Sequence, residues 1–113
     1  MIEQKYSVYN AIIENASIQK KHGFLILFMG FEREDGWHQG LGGHILYNDH
    51  KGDCNYCGKI VHKVLEVSRA NQIQESIGKA VRIYANDQDI KKIGHIIHDE
   101  WLDIESVRSD VRT

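Results

Sequence analysis

The sequence predicts an α+β domain: an antiparallel sheet with its elements in the order βββ-αα-ββ and two helices packed on one face. Three observations lead there. The stretches Tyr6–Ile18 and Phe24–Met29 are rich in β-branched and aromatic residues, which suit a pleated, half-buried surface. A segment from Tyr56 to Val67 repeats its apolar residues at helical spacing. Short polar turns divide the rest into hairpin-sized pieces.

Taken in order, Tyr6–Ile18 is the first strand and Gln19-Lys20-Lys21-His22-Gly23 a turn. Phe24–Met29 is apolar at every position and flanked by glycines, so it reads as a strand buried on both faces. Something must then cover each face, a helix on one side and a second subunit on the other. Glu32–Gly36 is a charged turn before a third strand, Trp37–Tyr47, and Asn48–Asp53 is a polar loop. In the first helix Ile60, Val61, Val64 and Leu65 share a stripe that Lys59, Lys63 and Glu66 avoid. A second short helix, Asn71–Ile77, ends at Gly78 as its C′ residue. Val81–Ala85 and Ile90–Ile97 form a closing hairpin across Asn86–Asp89. Beyond Trp101-Leu102 the chain turns charged and is expected to fray.

The 113 residues make one domain with an ordered core over about 6–104. The 42% hydrophobic and 27% charged residues are a globular balance. A net charge of −2 argues against a large basic surface for duplex nucleic acid or an anionic membrane. No apolar run is long enough to span a bilayer, and Met1–Lys5 lacks the features of a signal peptide. A cytoplasmic protein with two reduced cysteines is expected.

Four segments carry candidate chemistry. In Gly36-Trp37-His38-Gln39-Gly40-Leu41-Gly42-Gly43-His44, strand glycines accompany a bulge or the close approach of a ligand or another backbone. Gln39, Gly40, Gly42 and Gly43 could present backbone amides beside Trp37 to a phosphate or base; a kinked strand at a sheet corner explains them equally. No P-loop Lys-Ser/Thr follows, nor a helix of the dinucleotide fingerprint. His50, Cys54, Cys57 and His62 give H-x3-C-x2-C-x4-H, with zinc-ligand chemistry but without a finger's longer insert. Reduced cysteines at a loop–helix junction account for the spacing as well.

On the closing hairpin Arg82, Tyr84 and Asn86 alternate with Val81, Ile83 and Ala85. They offer a cationic fork and a stacking plate, or simply a solvated face. Gly94–Trp101 gathers His95, Asp99 and Trp101 at a strand end, where the tryptophan also suits a core or interface anchor. No G-x-S-x-G, H-E-x-x-H or paired H-x-S/T element is present. The chain is read as a binder and not an enzyme, with no catalytic residue, metal or cofactor assigned.

His22-Gly23 before an apolar strand, Gln39-Gly40-Leu41-Gly42-Gly43, Gly78–Ile83 and Ile93-Gly94-His95-Ile96-Ile97-His98-Asp99-Glu100-Trp101 together resemble a family. Its members are small phage and prophage proteins with a Q-G-x-G-G strand and a closing I-G-x-I-x-x-D-x-W, identified as the first class of Thoeris anti-defence proteins. The resemblance spans roughly residues 8 to 104. It implies a sponge that sequesters a cyclic ADP-ribose isomer without cleaving it. It also implies a homodimer or higher homo-oligomer with pockets at subunit contacts. The family motifs map onto His22, Gly23, Gln39–Gly43, Arg82 and His95–Trp101. His44 departs from the aromatic residue that often follows Gly-Gly, and the Cys54/Cys57 loop is not a family mark. Three other readings remain beside the sponge: a zinc-stabilised interaction module, a nucleotide hydrolase and a nucleic-acid-associated phage protein.

Overall fold

A computed structural model of the chain describes residues 5–48 and 57–103, with the backbone alone at 21, 42–48 and 57. The elements are β1 (Ser7–Lys21), β2 (Phe24–Arg33), β3 (His38–Asn48), α1 (Cys57–Ser68), a 3-10 turn (Gln74–Ser76), β4 (Ala80–Ala85), β5 (Ile90–His95) and β6 (Trp101–Asp103). The strands form one sheet in the order β3-β2-β1-β4-β5-β6, with every neighbouring pair antiparallel. The chain is therefore α+β, two three-strand meanders joined where β1 meets β4.

β1 is the spine of the sheet. Ser7–Ile12 pair with β4, and Ala11–Lys21 pair with β2. A bulge between Ile13 and Asn15 adds one residue to β1 and resets which side chains face inward. Ala11, Ile13 and Ala16 are thus all buried, a spacing that simple alternation forbids. His22 and Gly23 close the β1–β2 hairpin with φ of 53° and 83°, the two positive values a type I′ turn requires. The expected turn at residues 19–23 shrinks to these two residues.

The core lies on one face. Leu27 and Phe31 of β2, Val81 and Ile83 of β4, Ile93 of β5 and Leu102 of β6 are fully buried there, under Ile60, Val64 and Val67 of α1. Each such side chain contributes about 1.5–3 kcal/mol through removal from water. Within the described residues α1 runs from Cys57 and ends one residue later than the periodicity predicts, and Val67 joins the stripe.

Three expectations are corrected. First, β2 is not enclosed on both faces: Leu27 and Met29 are buried, whereas Ile26 and Phe28 on the opposite face are half-buried. Second, Asn71–Ile77 is not an α-helix. It makes i→i+3 bonds from Glu75, Ser76 and Ile77, and Ile77 is already extended. So short a segment gains few helical bonds against the cost of nucleation. The sheet also takes up its end, because Gly78 N–H donates to the Ile13 carbonyl (2.7 Å) and Ile13 N–H to that of Lys79 (3.0 Å). Third, the order gains a strand: residues 101–103 form β6, with Leu102 fully buried, and the stretch expected to fray lies, from residue 104 on, outside the described residues. Among the described residues no helix is long and apolar enough to cross a membrane.

Directly opposed residues in a sheet project from the same face. Val8, Tyr84 and Lys92 therefore make one row on the face away from α1, and Asn10, Arg82, Gly94 and Trp101 the next. Val8 and Ile12 on this open face are 52% and 41% exposed.

Candidate functional site

The open face is where most of the closing-hairpin residues meet. Trp101 stands beside Gly94 and fills the space a side chain there would need: a Cβ on Gly94 would lie 2.6 Å from the indole Cε3. The indole Nε1–H donates to Asp99 Oδ1 (3.0 Å). The Arg82 guanidinium carbon is 4.8 Å from the Trp101 ring centre, a cation–π contact. Arg82 also donates from Nε to the His95 carbonyl and from Nη2 to the His98 carbonyl, both at 2.8 Å. The side chain read as a phosphate fork thus ties down the β5–β6 turn. In the adjoining row, Lys92 Nζ is 5.5 Å from the Tyr84 ring centre, and Tyr84 packs against Tyr6 at 5.4 Å.

Trp101 borders two clefts. One, of about 280 Å³, is lined by Val8, Tyr84, Lys92 and Trp101 on the open face. The other, of about 560 Å³, lies between α1 and β6 and is lined by Gly58, Lys59, His62, Lys63, Glu66, Trp101 and Leu102. Lys63 Nζ is 2.6 Å from Glu66 Oε1, a pairing that holds the glutamate carboxyl below the usual carboxylate range. The second cleft falls in the size range of small-molecule sites and the first just below it.

His95 sits beside Val81 in the β4–β5 register, and its ring is buried. Its Nδ1 accepts from the N–H groups of Ile97 and His98, both at 3.0 Å. Burial pushes its pKa below the ordinary histidine value, and the neighbouring Arg69 and His98 act in the same direction. His95 is therefore a turn-forming residue whose ring is engaged by its own backbone.

Trp37, Gln39 and Asn86 gather elsewhere, around a residue the sequence reading passed over. Arg33 at the end of β2 is 5% exposed. Its guanidinium pairs with Asp35, meets Asp87 Oδ1 at 3.0 Å and lies 3.7 Å from the Tyr9 ring centre. Trp37 contributes a more distant ring at 5.9 Å, and Gln39 Oε1 accepts from Arg33 at 3.5 Å. Gln39 Nε2 donates to the Asn86 carbonyl (2.6 Å), while Asn86 Oδ1 accepts from the N–H groups of Gln88 and Asp89. Gln39 is opposite the fully buried Phe31, so this cluster lies on the helix-bearing side of the sheet. Arg82, Tyr84 and Trp101 project from the other side. Of the closing-hairpin candidates only Asn86 meets the glycine strand, at Gln39; Arg82, Tyr84 and Trp101 do not join it within one chain.

Gly40 faces Gly30 across β2 and β3. Together they floor a groove of about 350 Å³ that Glu14, Asn15, Phe28 and His38 help to line. A Cβ at Gly40 would meet only the Met29 carbonyl at 3.7 Å, whereas one at Gly30 would stand 2.7 Å from Asn15 Nδ2. Close approach is thus tightest at Gly94, against the Trp101 ring; at Gly30 the Asn15 side-chain end would have to turn aside, and Gly40 has room. Gly42 and Gly43 are in β3 by their backbone. His22 is exposed at the hairpin tip, ten residues along β1 from Ile12, roughly 30 Å at the strand rise.

His50 and Cys54 of the cysteine–histidine spacing lie outside the described residues; Cys57 opens α1, and His62 is exposed on it. Among the described residues no three His, Cys, Asp or Glu side chains could hold a metal ion. The cleft residues Lys59, Lys63 and Lys92 went unassigned in the sequence. For Lys59 and Lys63 the one signal was the polar side of α1, opposite the stripe of Ile60 and Val64; Lys92, on β5, had none. Comparison with protein-family models, with curated proteins and with solved structures finds no match for this chain, so its own geometry carries the functional reading.

Proposed function

We propose that the protein captures a small anionic ligand bearing an aromatic ring, a cyclic nucleotide of the cyclic ADP-ribose kind, and holds it at Trp101 without cleaving it. What supports this is a shared residue: Trp101 borders two clefts, one carrying Lys59, His62 and Lys63 beside Glu66 and the other Tyr84 and Lys92. A base stacks on aromatic rings, and a pyrophosphate is held by cations within a few ångströms of them. The groups available are suited to stacking and charge neutralisation, which is what capture without turnover asks of a site.

The reading agrees with the likeness of Gln39–Gly43 and Ile93–Trp101 to phage sponges that intercept an immune signal. A second copy of the chain belongs to it too. Val8 and Ile12 leave apolar area on the open face, and a homodimer there would bring another chain's residues beside Trp101.

The test is calorimetric titration of the purified protein with cyclic ADP-ribose isomers, followed by heat release and mass analysis of the ligand. Tight binding with the ligand recovered intact supports the proposal. Recovery of a cleaved product replaces it with a hydrolase, and no heat with any isomer removes it.

A further inference from the structure

Two turns of this chain are built alike, and one of them can titrate. In the β4–β5 turn, Asn86 Oδ1 accepts from the N–H groups two and three residues on, Gln88 at 2.9 Å and Asp89 at 2.8 Å. In the β5–β6 turn, His95 Nδ1 accepts from the N–H groups two and three residues on, Ile97 and His98, both at 3.0 Å. An amide oxygen keeps its lone pairs at every physiological pH; an imidazole nitrogen does not. Both donors are backbone N–H groups, so Nδ1 must be unprotonated and the ring hydrogen must sit on Nε2.

We propose that His95 is a pH-sensitive latch: a proton taken from solvent onto Nδ1 strips Ile97 and His98 of their acceptor, opens the β5–β6 turn and releases the Arg82–Trp101 platform. The connection to the platform is direct. The His95 and His98 carbonyls are the two acceptors that hold the Arg82 guanidinium, and Asp99 in the same turn holds the Trp101 indole. Trp101 then leads into β6.

The surroundings favour the unprotonated state. Charged or titratable groups face His95 from each neighbouring element: Arg69 beyond α1, Arg82 of β4, and His98 and Glu100 of the turn itself. The His95 and His98 ring centres are 4.6 Å apart. Only Glu100 is acidic, and it leans 3.4 Å from Arg69. Because the folded value is depressed, the unfolded chain binds the proton more readily. The stability that His95 contributes is therefore fully present above the ordinary value of 6.5 and is lost as pH falls from there through the folded value. The effect on capture rests on the function proposed above; the latch itself belongs to the ligand-free fold, so the two fail separately.

The experiment follows Trp101 emission and the amide proton shifts of Ile97 and His98 from pH 8 to pH 5, without ligand. A Trp37→Phe background leaves Trp101 as the sole tryptophan of the two. The expected result is a joint transition centred below 6.5, with both amide protons moving upfield as their bonds break. His95→Asn places an oxygen where Nδ1 stands and should leave all three signals flat over that range. A His95→Asn protein with the same transition overturns the latch. The native protein supplies a second readout if the variant does not fold: ring ¹⁵N shifts at pH 8 must show Nδ1 without a proton, and a protonated Nδ1 overturns the latch equally.

Discussion

Gly94 and Trp101 face each other across β5 and β6, and the indole stands where a side chain at residue 94 would stand, 2.6 Å from an ideal Cβ to Cε3. Gly94→Ala must move the ring or the strand. The expected cost is about 1–3 kcal/mol, as for overpacking elsewhere, together with weaker ligand binding because Trp101 borders both clefts. Gly40→Ala is the contrasting case. Its Cβ meets one carbonyl at ordinary contact distance, 3.7 Å. A small gain of about 0.4–1 kcal/mol is expected there, from a less flexible unfolded chain. Urea unfolding of the two variants beside the parent protein checks both signs.

Arg33 is a buried charge, and its partners are on wetter ground: the Asp35 and Asp87 side chains are 46% and 51% exposed. Arg33→Met should destabilise by about 2–3 kcal/mol, below the ~3–5 of a fully buried pair, because both carboxylates can return to water. The Arg33 guanidinium holds the Asp35 carboxyl below its ordinary value of 3.8. The stability from that pairing is present above the ordinary value and is lost as pH falls through the depressed one. Denaturation at pH 7 and pH 3 should show a loss in acid for the parent protein and a smaller one for Asp35→Asn.

The two clefts beside Trp101 are separable by charge reversal. Lys59 is exposed on α1, so Lys59→Glu should change stability by no more than about 0.5 kcal/mol. If the α1–β6 cleft takes the phosphates, the same change should weaken ligand binding about tenfold, or ~1.4 kcal/mol, and more at low salt. Lys92→Glu should do likewise if they lie on the open face. Titrations of both variants at two salt concentrations decide between the clefts. Unchanged affinity in both would remove ligand capture at Trp101.

Local patterns were legible wherever neighbours in sequence are also neighbours in space. The apolar stripe of Ile60 and Val64 placed the end of α1 to within a residue, because a helix makes its own hydrogen bonds. The Asn86–Asp89 turn was legible because an Asn side chain satisfies its own backbone two and three residues on. The second helix was misread because Gly78 and Lys79 answer to Ile13, far away in the chain. The double burial of β2 was misread because an apolar run tells what a strand can bury and not what is there to cover it.

The candidate site divides in the same way. Sequence alone determined the class of fold, the order of its first strands, the α1 stripe and the presence of aromatic and cationic residues near residues 82–101. Only the tertiary structure decided that Gln39 turns to Arg33 on the helix side while Arg82 and Trp101 face the other. It also decided that two carbonyls occupy Arg82 and that Lys59 and Lys92 line two clefts that share Trp101. The reason is physical. Which face a strand residue takes depends on parity, and a single bulge such as the one at Ile13–Asn15 reverses parity for everything beyond it. Contacts between faces and elements follow from that geometry and leave no mark in the spacing of residues along the chain.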